Sequence, residues 1–208
     1  SEAVAKQNAD IVAALDINSL LPEHRINAGD PEPHITAENC LVPDGKLKDN
    51  TYLPFILTVT TIDLNNPDAM NVTCMVGEDS GVYASHDNLY LFDQSHWEHT
   101  IIHKFGFTDD GTEYLASGEI SGSPGWSNPH LRFSEYNGDL RVVTSDSDMT
   151  HHLYVLRETS ENTGRLTTVA TLPNSEHPAP IGKPNEALYA VRFLGNRAYA
   201  VTVHSIDP

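Results

Sequence analysis

Three short strand-like phrases at near-constant spacing constrain this chain more than any other feature. Asn88-Leu89-Tyr90-Leu91 returns as Asp139-Leu140-Arg141-Val142 and again as Arg197-Ala198-Tyr199-Ala200. The copies begin at 88, 139 and 197, steps of 51 and 58 residues. A turn pair precedes each one: His86-Asp87, Asn137-Gly138 and Gly195-Asn196. Asn-Gly between two apolar runs is a strong hairpin signal. Units of this length, built from short strands, bury their faces by stacking on the next unit.

The strand reading follows the same period. Phe55–Leu64 is dense in β-branched residues, Asn65–Asp68 reads as a turn, and Asn71–Val76 as a short strand. Four strands then fall between residues 82 and 120, and four more between 131 and 172. After a Pro-rich excursion over 173–184 come Leu188–Leu194 and Arg197–His204. The expected fold is all-β, with antiparallel four-stranded propeller-type blades. The count is half a blade, two blades and half a blade, a partial propeller, since the third copy stops at Ile206-Asp207-Pro208. An ordinary antiparallel sandwich is the alternative. Ahead of the strands, Val4, Ile11, Val12 and Leu15 recur at helical spacing, which predicts a short N-terminal helix over residues 1–21, stopped by Pro22. Residues 22–50 read as a long loop, so the predicted division is 1–50 for helix and loop and 51–208 for the partial propeller.

Charge narrows the partners. The chain of 208 residues carries 12 Lys+Arg against 29 Asp+Glu, a net charge of −17. Nucleic acid and anionic membrane surfaces are disfavoured, because phosphate binding needs clustered cations. No apolar run is long enough for a membrane-spanning helix. The two cysteines, Cys40 and Cys74, read either as buried reduced thiols or as a disulfide. The disulfide is favoured, because the loop after Cys40 needs an anchor; it implies an oxidising compartment.

Several phrases resemble secreted bacterial β-propeller-domain proteins distantly related to WD-repeat proteins. The longest is Glu186–Thr202; Val82–Ser85 with Asn88–Leu91, and Glu135–Gly138 with Leu140–Val142, resemble the same family. Thr61–Leu64 with Pro67–Ala69 adds a fourth phrase. The resemblance covers roughly 53–208 and implies export, a propeller fold, further blades on both sides and an unestablished role. It supplies no catalytic residues.

Candidate chemistry rests on side chains that bind metals or present surfaces. His99 and His103, in the cluster with His96, lie on one strand, about 13 Å apart at roughly 3.3 Å per residue. His151 opens the equivalent strand of the next unit, with His99 as its expected counterpart. These suit a transition metal, or simply polar strand ends. Asp109 with Asp110, and Asp146 with Asp148, offer hard oxygen ligands for calcium, or ordinary solvated turns. Ser121–Gly125 reads as a flexible connector. The loop residues Trp126, Asn128 and His130 form a candidate recognition surface; Trp126, like Trp97, equally suits a gap between blades. Asn71-Val72-Thr73 fits a glycosylation pattern inside a strand. The functional expectation is a secreted or periplasmic binding or scaffold module for a protein or glycan, with no cofactor beyond possible calcium. It carries open sheet edges that favour self-association. The alternative is a propeller hydrolase or lyase with an acidic and histidine central site.

Overall fold

The computed structural model describes residues 2–42, 55–78, 81–94, 98–159 and 164–204. The chain divides into two compact units, Ser1–Gly77 with Asp110–Thr112, and Glu78–Asp109 with Glu113–Pro208.

In the first unit, helix α1 spans Glu2–Ala13, shorter than the predicted 1–21. Asp16 accounts for the difference. Its carboxylate accepts a hydrogen bond from the Asn18 amide at 3.0 Å and starts a separate 3-10 turn over Ile17–Leu20. Among its described residues the predicted loop contains three two-residue strands: β1 (Glu23–His24), β2 (Glu32–Pro33) and β3 (Cys40–Leu41). β4 (Phe55–Asp63) and β5 (Asn66–Gly77) form a long hairpin, and β3 joins β5 in parallel with Cys40 opposite Cys74. The two cysteines form a disulfide. The turn predicted over Asn65–Asp68 is tighter than expected. Asp63 accepts from the Asn65 amide at 2.8 Å, and the strand resumes at Asn66. Pro67 is tolerated there because it lies beside a bulge at the strand start. Leu21, Ile35 and Cys74 make the small core.

The second unit carries the repeats. β6 (Gly81–Ala84), β7 (Asn88–Asp93), β8 (His99–Thr108) and β9 (Gly111–Ser121) make one four-stranded blade. β10 (Phe133–Tyr136), β11 (Asp139–Ser145), β12 (His151–Glu158) and β13 (Gly164–Leu172) make the next. β14 (Ala187–Leu194) and β15 (Arg197–Val203) form the following hairpin. The outer strands β9 and β13 touch in parallel at Ala116–Gly164 and Ser117–Arg165. The molecule therefore has the all-β, propeller-type blades and short N-terminal helix that the sequence predicts.

The sequence repeat is also a repeat of register. Ala84 faces Leu89, Glu135 faces Leu140 and Phe193 faces Ala198. Asn137 and Gly138 both have positive φ, 53° and 83°, the mirror-image turn that suits a twisted hairpin. One correspondence is corrected by the ladder. Leu91 pairs with His103 and Val142 with Tyr154, so the third strands also align at 51 residues. His151 therefore matches Thr100 rather than His99. In a strand that single residue is the opposite face: His151 is buried and His99 is largely exposed.

The main core lies between the two full blades. Phe92 of β7 stacks on Phe133 of β10 with ring centroids 4.4 Å apart, and Tyr83 stacks on both Phe133 and Tyr90. Ile102, Leu140, Val142 and Leu156 close around them. β7 is thus buried on both faces, unlike a strand of a solvated sheet. Each buried aromatic contributes roughly 1.5–3 kcal/mol of transfer free energy.

Candidate functional site

Two junctions hold consecutive blades together, and both begin at the same ladder position. At the first, Glu135 of β10 turns its half-buried carboxylate toward the preceding blade. It accepts hydrogen bonds from Ser85 Oγ at 2.8 Å, from Asn88 Nδ2 at 2.9–3.0 Å and from Tyr90 Oη at 2.8 Å. The Glu135 amide donates to Tyr83 Oη at 2.9 Å. Burial, and next the hydrogen bond to Glu135, push the Tyr90 phenol far above the ordinary tyrosine range. At the second junction Arg141 takes the place of Tyr90. Its guanidinium lies 4.7 Å from the Tyr136 ring centroid and 4.8 Å from that of Phe193. It donates to Ser134 Oγ at 2.7 Å and to the Gly195 carbonyl at 2.8 Å. Position 135 in one junction and position 193 in the next are equivalent, so an anion and an aromatic ring do the same structural task.

A cavity of about 340 Å³ opens beside these junctions. Its walls are the innermost strands of three successive units: Tyr83 and Ala84 from β6, Phe133 and Ser134 from β10, Arg192 and Phe193 from β14. His130 and Leu131 complete it from the preceding 3-10 turn, Pro129–Arg132. Tyr83, Ser134 and Arg192 are one another's equivalents in the repeat. Extending the 51- and 58-residue steps to Tyr83 reaches them directly, so the signal for these wall residues was present in the sequence.

The turn that carries His130 is fixed from beneath. Asn128 adopts the left-handed conformation (φ 53°) at the start of the turn, and its carbonyl accepts from the Leu131 amide at 3.0 Å. Arg132 then points inward, donating to the Leu188 carbonyl at 2.8 Å and to Ser145 Oγ at 3.3 Å. Burial lowers its pKa. Ser145 Oγ also meets His151 Nδ1 at 2.9 Å. His151 Nε2 lies 2.8 Å from the Glu186 carbonyl; a carbonyl only accepts, so Nε2 carries the proton and donates. Ser121–Gly125, buried over 122–124, is a hydrogen-bonded tie rather than a flexible connector. Ser123 and Ser145 exchange backbone hydrogen bonds at 2.9–3.0 Å, and Thr144 Oγ1 donates to the Ser121 carbonyl.

The remaining predicted residues are dispersed. His99 sits 3.5 Å from a Glu119 carboxylate oxygen, both side chains exposed. His103 is buried, with Nδ1 hydrogen-bonded to Ser117 Oγ. His151 serves the Arg132 chain just described. Asp146 bonds His152 Nε2 at 3.0 Å, and Asp148 accepts from the Thr150 amide, a bond that holds its carboxyl below the usual range. Asp109 and Asp110 lie at the β8–β9 turn. Among the described residues no three His, Cys, Asp or Glu side chains gather into a set that could hold a metal ion. Trp126 is 60% exposed on the loop before His130. His96 and Trp97 lie outside the described residues, as do Ile206-Asp207-Pro208. No helix among the described residues is long and apolar enough to cross a membrane.

Comparison with known proteins agrees with this architecture. An uncharacterized protein of Methanocaldococcus jannaschii is 34% identical over 128 residues, covering 55% of this chain and 17% of the relative. The chain thus matches less than a fifth of that protein's length. No solved structure matches it. The family model described as a beta propeller domain matches residues 1–208 in full. The repeat, the blade registers and this match together place the chain in the β-propeller domain family.

Proposed function

We propose that this chain is an extracytoplasmic binding or scaffold module that engages its ligand at the inner-strand face of the propeller. One observation carries the reading: equivalent positions of three successive inner strands wall a single cavity, rimmed by an exposed loop. Such a concavity on a rigid repeat scaffold is where a ligand gains the most contact. The partly buried inner-strand carboxylate, Glu135, is spent on fastening blades, which favours binding over hydrolysis. In this reading residues 1–50 are a disulfide-pinned accessory segment, and 51–208 are the repeat body. Trp126, Asn128 and His130 belong to the recognition surface. The Cys40–Cys74 disulfide supports an oxidising compartment, and with it the resemblance to secreted propeller proteins.

A fragment screen followed on the ¹⁵N-labelled chain tests the binding reading. The expected result is a cluster of amide shifts at Tyr83, Ser134 and Arg192. Hits confined to the outer strands β9 and β13 would contradict it.

A further inference from the structure

We propose that the cavity between β6, β10 and β14 is a carboxylate site that takes a small organic acid. This rests on the binding reading above and names its ligand class. The chain has 29 acidic and 12 basic residues, yet no Asp or Glu lines this cavity, while Arg192 and His130 both do. Neither side chain has a hydrogen-bond or ion-pair partner among the described residues, and both are exposed. Arg132, Arg141 and Arg157, by contrast, are each fastened to a carbonyl or a carboxylate. Arg192 therefore keeps its planar fork of donors, which matches a carboxylate with two parallel hydrogen bonds.

Ser134 adds a third donor. Its oxygen accepts from Arg141 Nη2 at 2.7 Å, which leaves its own O–H free of that bond and able to donate. Leu131 and Phe133 give the cavity an apolar surface, so an acid with an apolar body gains over a bare inorganic anion. The volume, about 340 Å³, is at the small end of ligand pockets and suits a single ring rather than an extended chain. In a molecule of net charge −17, an unpaired guanidinium in a concavity free of carboxylates also concentrates an anion that the rest of the surface repels.

The test titrates the ¹⁵N-labelled chain with benzoate, with benzamide as the neutral isostere and with inorganic phosphate as the bare anion. Benzoate is expected to give saturable shifts at 82–84, 130–134 and 192–193. It should bind at least about tenfold more tightly than benzamide or phosphate, the loss expected when a charge-assisted pair is missing. Arg192→Ala should weaken benzoate by a similar factor and Arg192→Lys by less, with the remaining spectrum unchanged because the side chain is exposed. Equal binding of benzamide and benzoate would overturn the carboxylate assignment and leave the binding reading standing. Benzoate binding that survives Arg192→Ala unchanged would overturn it too. No saturable shift at these residues with any of the three probes would overturn both.

Discussion

Tyr90 and Arg141 occupy one ladder position in successive blades, and each reaches the following inner strand by different chemistry. Tyr90 donates to a carboxylate; Arg141 lies between two rings and donates to a carbonyl and a hydroxyl. Arg141 Nε is buried without a partner, so its planar shape and stacking outweigh one lost hydrogen bond. Arg141→Lys keeps the charge but loses the plane and the fork. It should cost about 1–3 kcal/mol, read as a lower urea midpoint. Tyr90 makes a prediction in pH. Its native phenol holds its proton far above the ordinary range, chiefly through burial. The unfolded chain loses that proton near pH ~10. The associated stability is therefore complete below that pH and is lost as pH rises past it. Urea midpoints at pH 8 and 11 should fall further in the wild type than in Tyr90→Phe.

At the scale of elements, backbone and close approach decide what side-chain pattern alone does not. Gly118 lies on β9 where it meets β13; a Cβ there would stand 2.6 Å from the Leu166 carbonyl oxygen. Gly118→Ala should destabilise the second unit by about 1–3 kcal/mol in denaturant melts, because the obstacle is backbone that must shift. In the first unit the disulfide closes a separation of 34 residues. Replacing both cysteines with serine should cost about 3–4 kcal/mol and raise amide exchange at Leu41 and Met75, which pair beside it. Strands and hairpins were legible because alternation and Asn137-Gly138 are local signals. The end of α1 at Ala13 was not, because Asp16 competes with the helix through its own side chain. The His99 correspondence failed for a related reason: register depends on the preceding turn, and a single residue exchanges faces. The cavity walls were legible in principle, through the repeat of Tyr83 at Ser134 and Arg192. What those residues line follows only from blade stacking.

Across the whole molecule, burial is uneven in a way the repeat explains. β7 and β11 are covered on both faces, whereas β15, their equivalent, leaves Tyr199, Val201 and Val203 about half exposed. Among the described residues β15 pairs with β14 alone. The 51-residue repeat builds blades fastened through equivalent inner-strand positions. A double-mutant cycle between Tyr90→Phe and Glu135→Gln, measured by equilibrium unfolding, tests it most directly. These residues lie 45 positions apart and meet only if the blades stack in this register. The predicted coupling is about 1–2 kcal/mol, within the range for directly bonded partners. Additivity to within ~0.3 kcal/mol would mean that the blades are not fastened through this pair.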